Sequence, residues 1–133
     1  MPTPRITVLI SGRGSNMMAL VEAARAPAYP AEIVAVISNR PEAEGLKWAA
    51  KQGIPAIGLD HKQFATRTAF EAKLHATLME TGTELICCAG FMRMLTGGFI
   101  DRWRDRMLNI HPSLLPAFPG LDTHERAIEA GVR

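Results

Sequence analysis

Cysteine is scarce in this chain and poorly placed for bridging. There are two, Cys87 and Cys88, side by side in the apolar run 85–89. Neighbours on a strand point to opposite faces, so joining them would require a strained bond. Both read as buried filler in a reduced, cytoplasmic protein. No apolar stretch is long enough to span a membrane. Residues 1–5 lead straight into a strand, without the hydrophobic segment of a secretory leader. Excess charge is missing too: 15 basic against 13 acidic residues leave a formal +2, too little to imply a nucleic-acid partner. Arg102, Arg104 and Arg106 are interleaved with Asp101 and Asp105 and read as a solvated face. No pair of histidines, cysteines or acids has metal-ligand spacing, so the expected chemistry is metal-free. Internal repeats, low-complexity tracts and interdomain linkers are absent.

What is present suits a single soluble domain spanning 1–133, with 47% hydrophobic and 21% charged residues. Residues 6–10 are a β-branched-rich apolar run of the kind found in fully buried strands. Further strands are expected at 32–38, 54–59, 85–89 and 107–111. Helical patterns fall at 17–25, at 41–52 and at 67–81, where Phe70, Leu74 and Leu78 have helical spacing. A last helix is expected over 123–130, capped by Thr123. Strands alternating with helices predict an α/β fold, a Rossmann-like doubly wound and mostly parallel sheet with helices on both faces. Ligands of such sheets bind beyond the carboxyl ends of the strands, at the switch in strand order. Residues 11–16, 90–95 and 111–120 all follow strand ends, and they converge if the first and fourth strands are neighbours.

Ser11-Gly12-Arg13-Gly14-Ser15-Asn16 lies between a strand and a helix, where backbone amides can cradle a phosphate. Ser15 or Asn16 suits the helix N-cap. The dinucleotide fingerprint fails, because its third glycine position is Met17 and Ser38-Asn39 replaces the ribose-binding acid. By itself the loop reads equally as a tight turn into a capped helix or as a phosphate cradle. Asn109-Ile110-His111-Pro112 places an amide and an imidazole on one strand face, about 6–7 Å apart by strand rise. Such a pair can grip a carbonyl oxygen and carry a proton, as acyl or formyl chemistry requires. His61 and His75 lack these supports and read as surface residues. His124 is near the same loop without an assignable role.

Three segments carry a resemblance: the loop 11–16, Ala89-Gly90-Phe91-Met92-Arg93-Met94-Leu95, and the run from Asn109-Ile110-His111-Pro112 through Pro119-Gly120. With them the chain resembles the glycinamide ribonucleotide formyltransferase family of folate-dependent enzymes. The asparagine-x-histidine segment is shared with methionyl-tRNA formyltransferase and formyltetrahydrofolate deformylase. The Gly-Ser-Asn loop points to the ribonucleotide enzymes. The resemblance implies that Gly14, Ser15 and Asn16 hold the substrate phosphate. It also implies that Arg67, Met92, Arg93, Met94, Leu95 and Asn109 contact the folate, and that Asn109 and His111 are catalytic. The co-substrate would be 10-formyltetrahydrofolate, with no metal, nucleic acid or membrane involved, and a homodimer is left open. Family members run on past Arg133, where a catalytic aspartate would lie, so the chain is expected to stop inside the fold. The rival readings are a deformylase that uses water, and a non-catalytic phosphate- or nucleotide-binding α/β module.

Overall fold

A computed structural model describes residues 3–25, 31–91 and 95–110. Five strands, β1 (Arg5–Ile10), β2 (Glu32–Ser38), β3 (Ala56–Gly58), β4 (Leu85–Cys88) and β5 (Met107–Asn109), form one sheet. Their order is β3-β2-β1-β4-β5, and every pairing is parallel. Among the described residues four α-helices accompany them: α1 (Ser15–Ala24), α2 (Glu44–Lys51), α3 (Arg67–Glu80) and α4 (Gly97–Arg102). This is the Rossmann-like arrangement expected from the alternating pattern. The expected strand at 54–59 shrinks to three residues, and the helix expected from residue 41 starts at Glu44. The helix expected over 123–130 lies outside the described residues.

The strands are apolar on both faces because both are covered. Val8, Ile10 and Cys87 pack with Met17, Leu20, Leu46 and Ala49, so α1 and α2 cover one side. Leu9, Ile37 and Ile86 pack with Phe70, Leu74, Leu78 and Phe99, so α3 and α4 cover the other. The two cysteines divide between these layers as strand neighbours must. Burial raises both thiol pKa values, that of Cys88 to about 12. Both therefore stay neutral and unreactive near pH 7, in keeping with their expected role as filler.

The arginine-rich stretch behaves as expected only in part. Arg104 pairs with Asp101 in the open, where side chains that are 69% and 65% exposed gain little. Arg106, by contrast, stacks its guanidinium 4.4 Å over the ring of the buried Trp103. His75 is not the surface residue its surroundings in sequence suggested. Its half-buried Nδ1 accepts the Trp103 indole N–H at 3.2 Å, a bond that requires the unprotonated nitrogen. Partial burial, followed by the charges of Arg102 and Arg106, holds its pKa below the ordinary 6.5. The unfolded chain therefore takes up a proton that the folded chain refuses. The resulting stabilisation is complete above 6.5 and is lost as pH falls toward the folded value. Urea midpoints are expected to drop between about pH 7.5 and 5.5, and the drop should shrink in His75→Gln. An equal drop in both proteins would exclude His75 as its source.

Candidate active site

The helices divide between the two faces, and the division places a crevice. From β1 the chain winds outward through α1 and α2 on one face, then crosses through α3 on the other face to reach β4. The strand order thus reverses between β1 and β4, and the crevice at their carboxyl ends is where ligands of such sheets bind. The expected adjacency of the first and fourth strands is present: Leu9 pairs with Cys88, and the Ala89 N–H donates to the Leu9 carbonyl at 2.9 Å. Residues 11–16 and 90–95 consequently start from neighbouring strand ends. Asn109 pairs with Cys88, one strand further along.

At the end of β1 the chain turns through Gly14, whose φ of 76° is left-handed and suits glycine. Gly14, and not Ser15 or Asn16, is the N-cap of α1, and it provides no side-chain cap. Ser15 and Asn16 are instead the first two helical residues. The left-handed turn brings the chain into the helix before either side chain can fold back. The first-turn amides are thus left without a side-chain acceptor, an arrangement that favours an anion.

Behind the loop lie groups whose roles sequence reasoning did not assign. Ser11 Oγ donates to Asn39 Oδ1 at 2.7 Å, and Ser38 Oγ donates to the Ser11 carbonyl at 3.3 Å. Ser38 and Asn39 are buried, so where a dinucleotide fold carries its ribose acid this chain braces its own loop. His61, expected at the surface, is half-buried with Nδ1 3.1 Å from the Asn39 carbonyl and 3.3 Å from Asn39 Nδ2. It donates to the former in one tautomer and accepts from the latter in the other.

Asn109 ends β5 half-buried, on the same sheet face as Met107 and therefore toward α3 and α4. Its backbone is held in the ladder with Cys88, and the Ile110 N–H donates to the Cys88 carbonyl at 2.8 Å. No hydrogen bond to its carboxamide is found among the described residues. Leu95 is half-buried against the same α3–α4 layer. Arg67 is exposed as the first residue of α3, whose cap is the Thr66 hydroxyl accepting from the Ala69 N–H at 3.1 Å. His111, Met92, Arg93 and Met94 lie outside the described residues.

A second unassigned group fixes the residue after Leu95. Glu71, only 6% exposed, accepts from the Thr96 N–H at 2.7 Å and from its hydroxyl at 2.5 Å. The same hydroxyl accepts from the Phe99 N–H at 3.4 Å and caps α4. One carboxylate thus joins α3 to the start of α4. A threonine before an apolar helical stretch is a readable cap signal, but nothing local indicates its buried partner 25 residues away. Glu71→Ala is expected to cost about 1–3 kcal/mol by removing the acceptor of two part-buried Thr96 donors. A double-mutant cycle with Thr96→Ala should show coupling, whereas additive losses would show that the pair is not a unit.

Residues 4–133 match the family described as Formyl transferase. The trifunctional purine biosynthetic protein adenosine-3 of Gallus gallus is 49% identical over 129 residues, which are 97% of this chain and 13% of that protein. Phosphoribosylglycinamide formyltransferase of Haemophilus influenzae is 41% identical over 127 residues, covering 96% of this chain and 60% of that enzyme. The crystal structure of phosphoribosylglycinamide formyltransferase from Brucella melitensis superposes with a TM-score of 0.80 at 51% identity, covering 98% of this chain and 68% of that one. The chain therefore spans less than two thirds of the length of each of these two curated relatives.

Proposed function

This chain belongs to the formyl transferase family, and from that premise we propose that it takes part in transfer of a formyl group from 10-formyltetrahydrofolate to the amine of 5-phosphoribosylglycinamide, in purine synthesis. The observation that carries this reading is the position of Asn109. A half-buried carboxamide stands at the carboxyl end of the sheet, one strand from the reversal of strand order, with no partner for its amide among the described residues.

In the proposed reaction the substrate amine attacks the formyl carbon, forming a C–N bond and a tetrahedral centre with a developing oxyanion. Asn109 donates from Nδ2 to that oxygen, and His111 stabilises the same charge and manages proton transfer. Collapse breaks the bond from the formyl carbon to folate nitrogen; the proton lost by the amine ends on that nitrogen. Gly14, Ser15 and Asn16 hold the ribonucleotide phosphate at the uncapped start of α1. Arg67, Leu95, Asn109 and the segment Met92-Arg93-Met94 contact the folate. A cytoplasmic location belongs to the same proposal, which leaves a homodimer open. Among the described residues, no helix is long and apolar enough to cross a membrane.

Consumption of 10-formyltetrahydrofolate, followed with and without glycinamide ribonucleotide, tests the reading. Loss of the formyl donor only when the ribonucleotide is present supports transfer. Formate release without it would establish the deformylase instead, and saturable binding without turnover, in a protein that carries the aspartate expected past Arg133, would establish a non-catalytic module.

A further inference from the structure

Gly45 lies inside the first turn of α2, where glycine costs about 0.5–1 kcal/mol relative to alanine. Such a residue calls for a packing reason, and the phosphate loop supplies it. A Cβ at Gly45 would fall 2.4 Å from Ile10 Cδ1, 3.1 Å from the Arg13 carbonyl oxygen and 3.2 Å from that of Gly12. The Gly45 N–H donates to the same Gly12 carbonyl at 3.1 Å. The contact is reciprocal, because a Cβ at Gly14 would fall 3.3 Å from Gly45 Cα. Loop and helix thus meet backbone to backbone. Ile10, fully buried, cannot easily swing aside. At Gly12, by contrast, no described atom lies within 4 Å of where a Cβ would stand. The loop is braced at its back by α2, Ser38 and Asn39, and among the described residues nothing crowds Gly12.

We propose that Gly45 is a positioning residue for the phosphate half of the site: its missing side chain lets the start of α2 seat the loop 12–14, and so sets where the amides of α1 point. The inference rests on the reading that Gly14, Ser15 and Asn16 hold the ribonucleotide phosphate. A methyl group at residue 45 meets Ile10 Cδ1 first and then the carbonyl oxygens of Arg13 and Gly12, so the buried Ile10 must turn, or loop and α2 must part by a few tenths of an ångström. A shift of less than an ångström is enough to misalign an anion cradle. Nothing in this contact reaches α3, α4 or Leu95, so the folate half should be unaffected.

The test is steady-state kinetics of the protein and of its Gly45→Ala, Ile10→Val and Ile10→Val/Gly45→Ala variants. Gly45→Ala is expected to raise KM for glycinamide ribonucleotide roughly tenfold or more, with KM for 10-formyltetrahydrofolate held within about twofold. The double variant is expected to recover much of the loss, because valine removes the Cδ1 atom that makes the shortest contact. A role confined to stability would lower the amount of active enzyme and leave both KM values alone, and that result overturns the inference. So does a parallel rise in both KM values. If Gly45→Ala does not fold, the double variant measured against Ile10→Val makes the same comparison. A protein that shows no saturation by the ribonucleotide overturns the functional reading itself, and this inference with it. Saturation that is indifferent to Gly45→Ala overturns the inference alone.

Discussion

Replacing Asn109 with alanine is expected to lower turnover by about a hundredfold or more, the usual consequence of removing one oxyanion donor. The surroundings of Asn109 make the measurement clean. Its backbone is fixed by the pairing of β5 with β4, and its carboxamide supports no other described side chain. Truncation should therefore leave the melting temperature within a degree or two while the rate collapses. KM for the ribonucleotide should scarcely move, since the phosphate loop belongs to β1 and α1, two strands away. Asn109→Asp should not rescue, because a carboxylate would face the developing negative charge. His111→Ala should be at least as damaging, again with ribonucleotide affinity nearly untouched. Unchanged turnover in a folded Asn109→Ala protein would remove this residue from the mechanism.

Trp103→Ala should be the most destabilising single change among the described side chains, at about 3–5 kcal/mol. Trp103 is the largest fully buried side chain, at the end of α4 in the layer with Phe99, Met107 and Leu78. Its loss opens a cavity, leaves His75 Nδ1 without its donor and removes the ring beneath Arg106. Against a total stability of about 5–15 kcal/mol, this is a large fraction. A thermal melt should shift down by roughly 10 °C or more. Trp103→Phe should fall in between, keeping most of the apolar contact while losing the indole N–H. A shift of only a degree or two for the alanine variant would mean that the layer collapses around the gap at little cost.

The candidate site was legible in sequence to different depths at different residues. Gly14 was recognisable because a glycine between a strand and a helix signals a turn, yet its role as the N-cap was not. Two polar neighbours, Ser15 and Asn16, were better caps by composition, and only the left-handed turn at Gly14 displaced them. Asn109 was legible because alternation on a strand fixes which face a side chain takes. Arg67 could be picked only through its resemblance, since an exposed arginine opening a helix has no local mark of function. His61 and His75 were misjudged as surface residues for a related reason. Their partners, Asn39 and Trp103, come from other elements. Glu71 and Gly45 escaped altogether, because the groups that give each its role, Thr96 and the loop after β1, lie far away in sequence.

The order of elements, the buried character of the strands, the glycine turn and the family all follow from the chain read alone, because periodicity, turn residues and motifs are local patterns. Which strand lies beside which does not. Only the packing of α1 and α2 on one face and α3 and α4 on the other sets the order β3-β2-β1-β4-β5. That order brings the ends of β1, β4 and β5 side by side. The bracing of the loop by Gly45, Ser38 and Asn39, and of Thr96 by Glu71, is decided there as well. Those contacts join residues about 25 to 35 positions apart, and the energy of burying two helical layers, not any local preference, brings them within bonding distance.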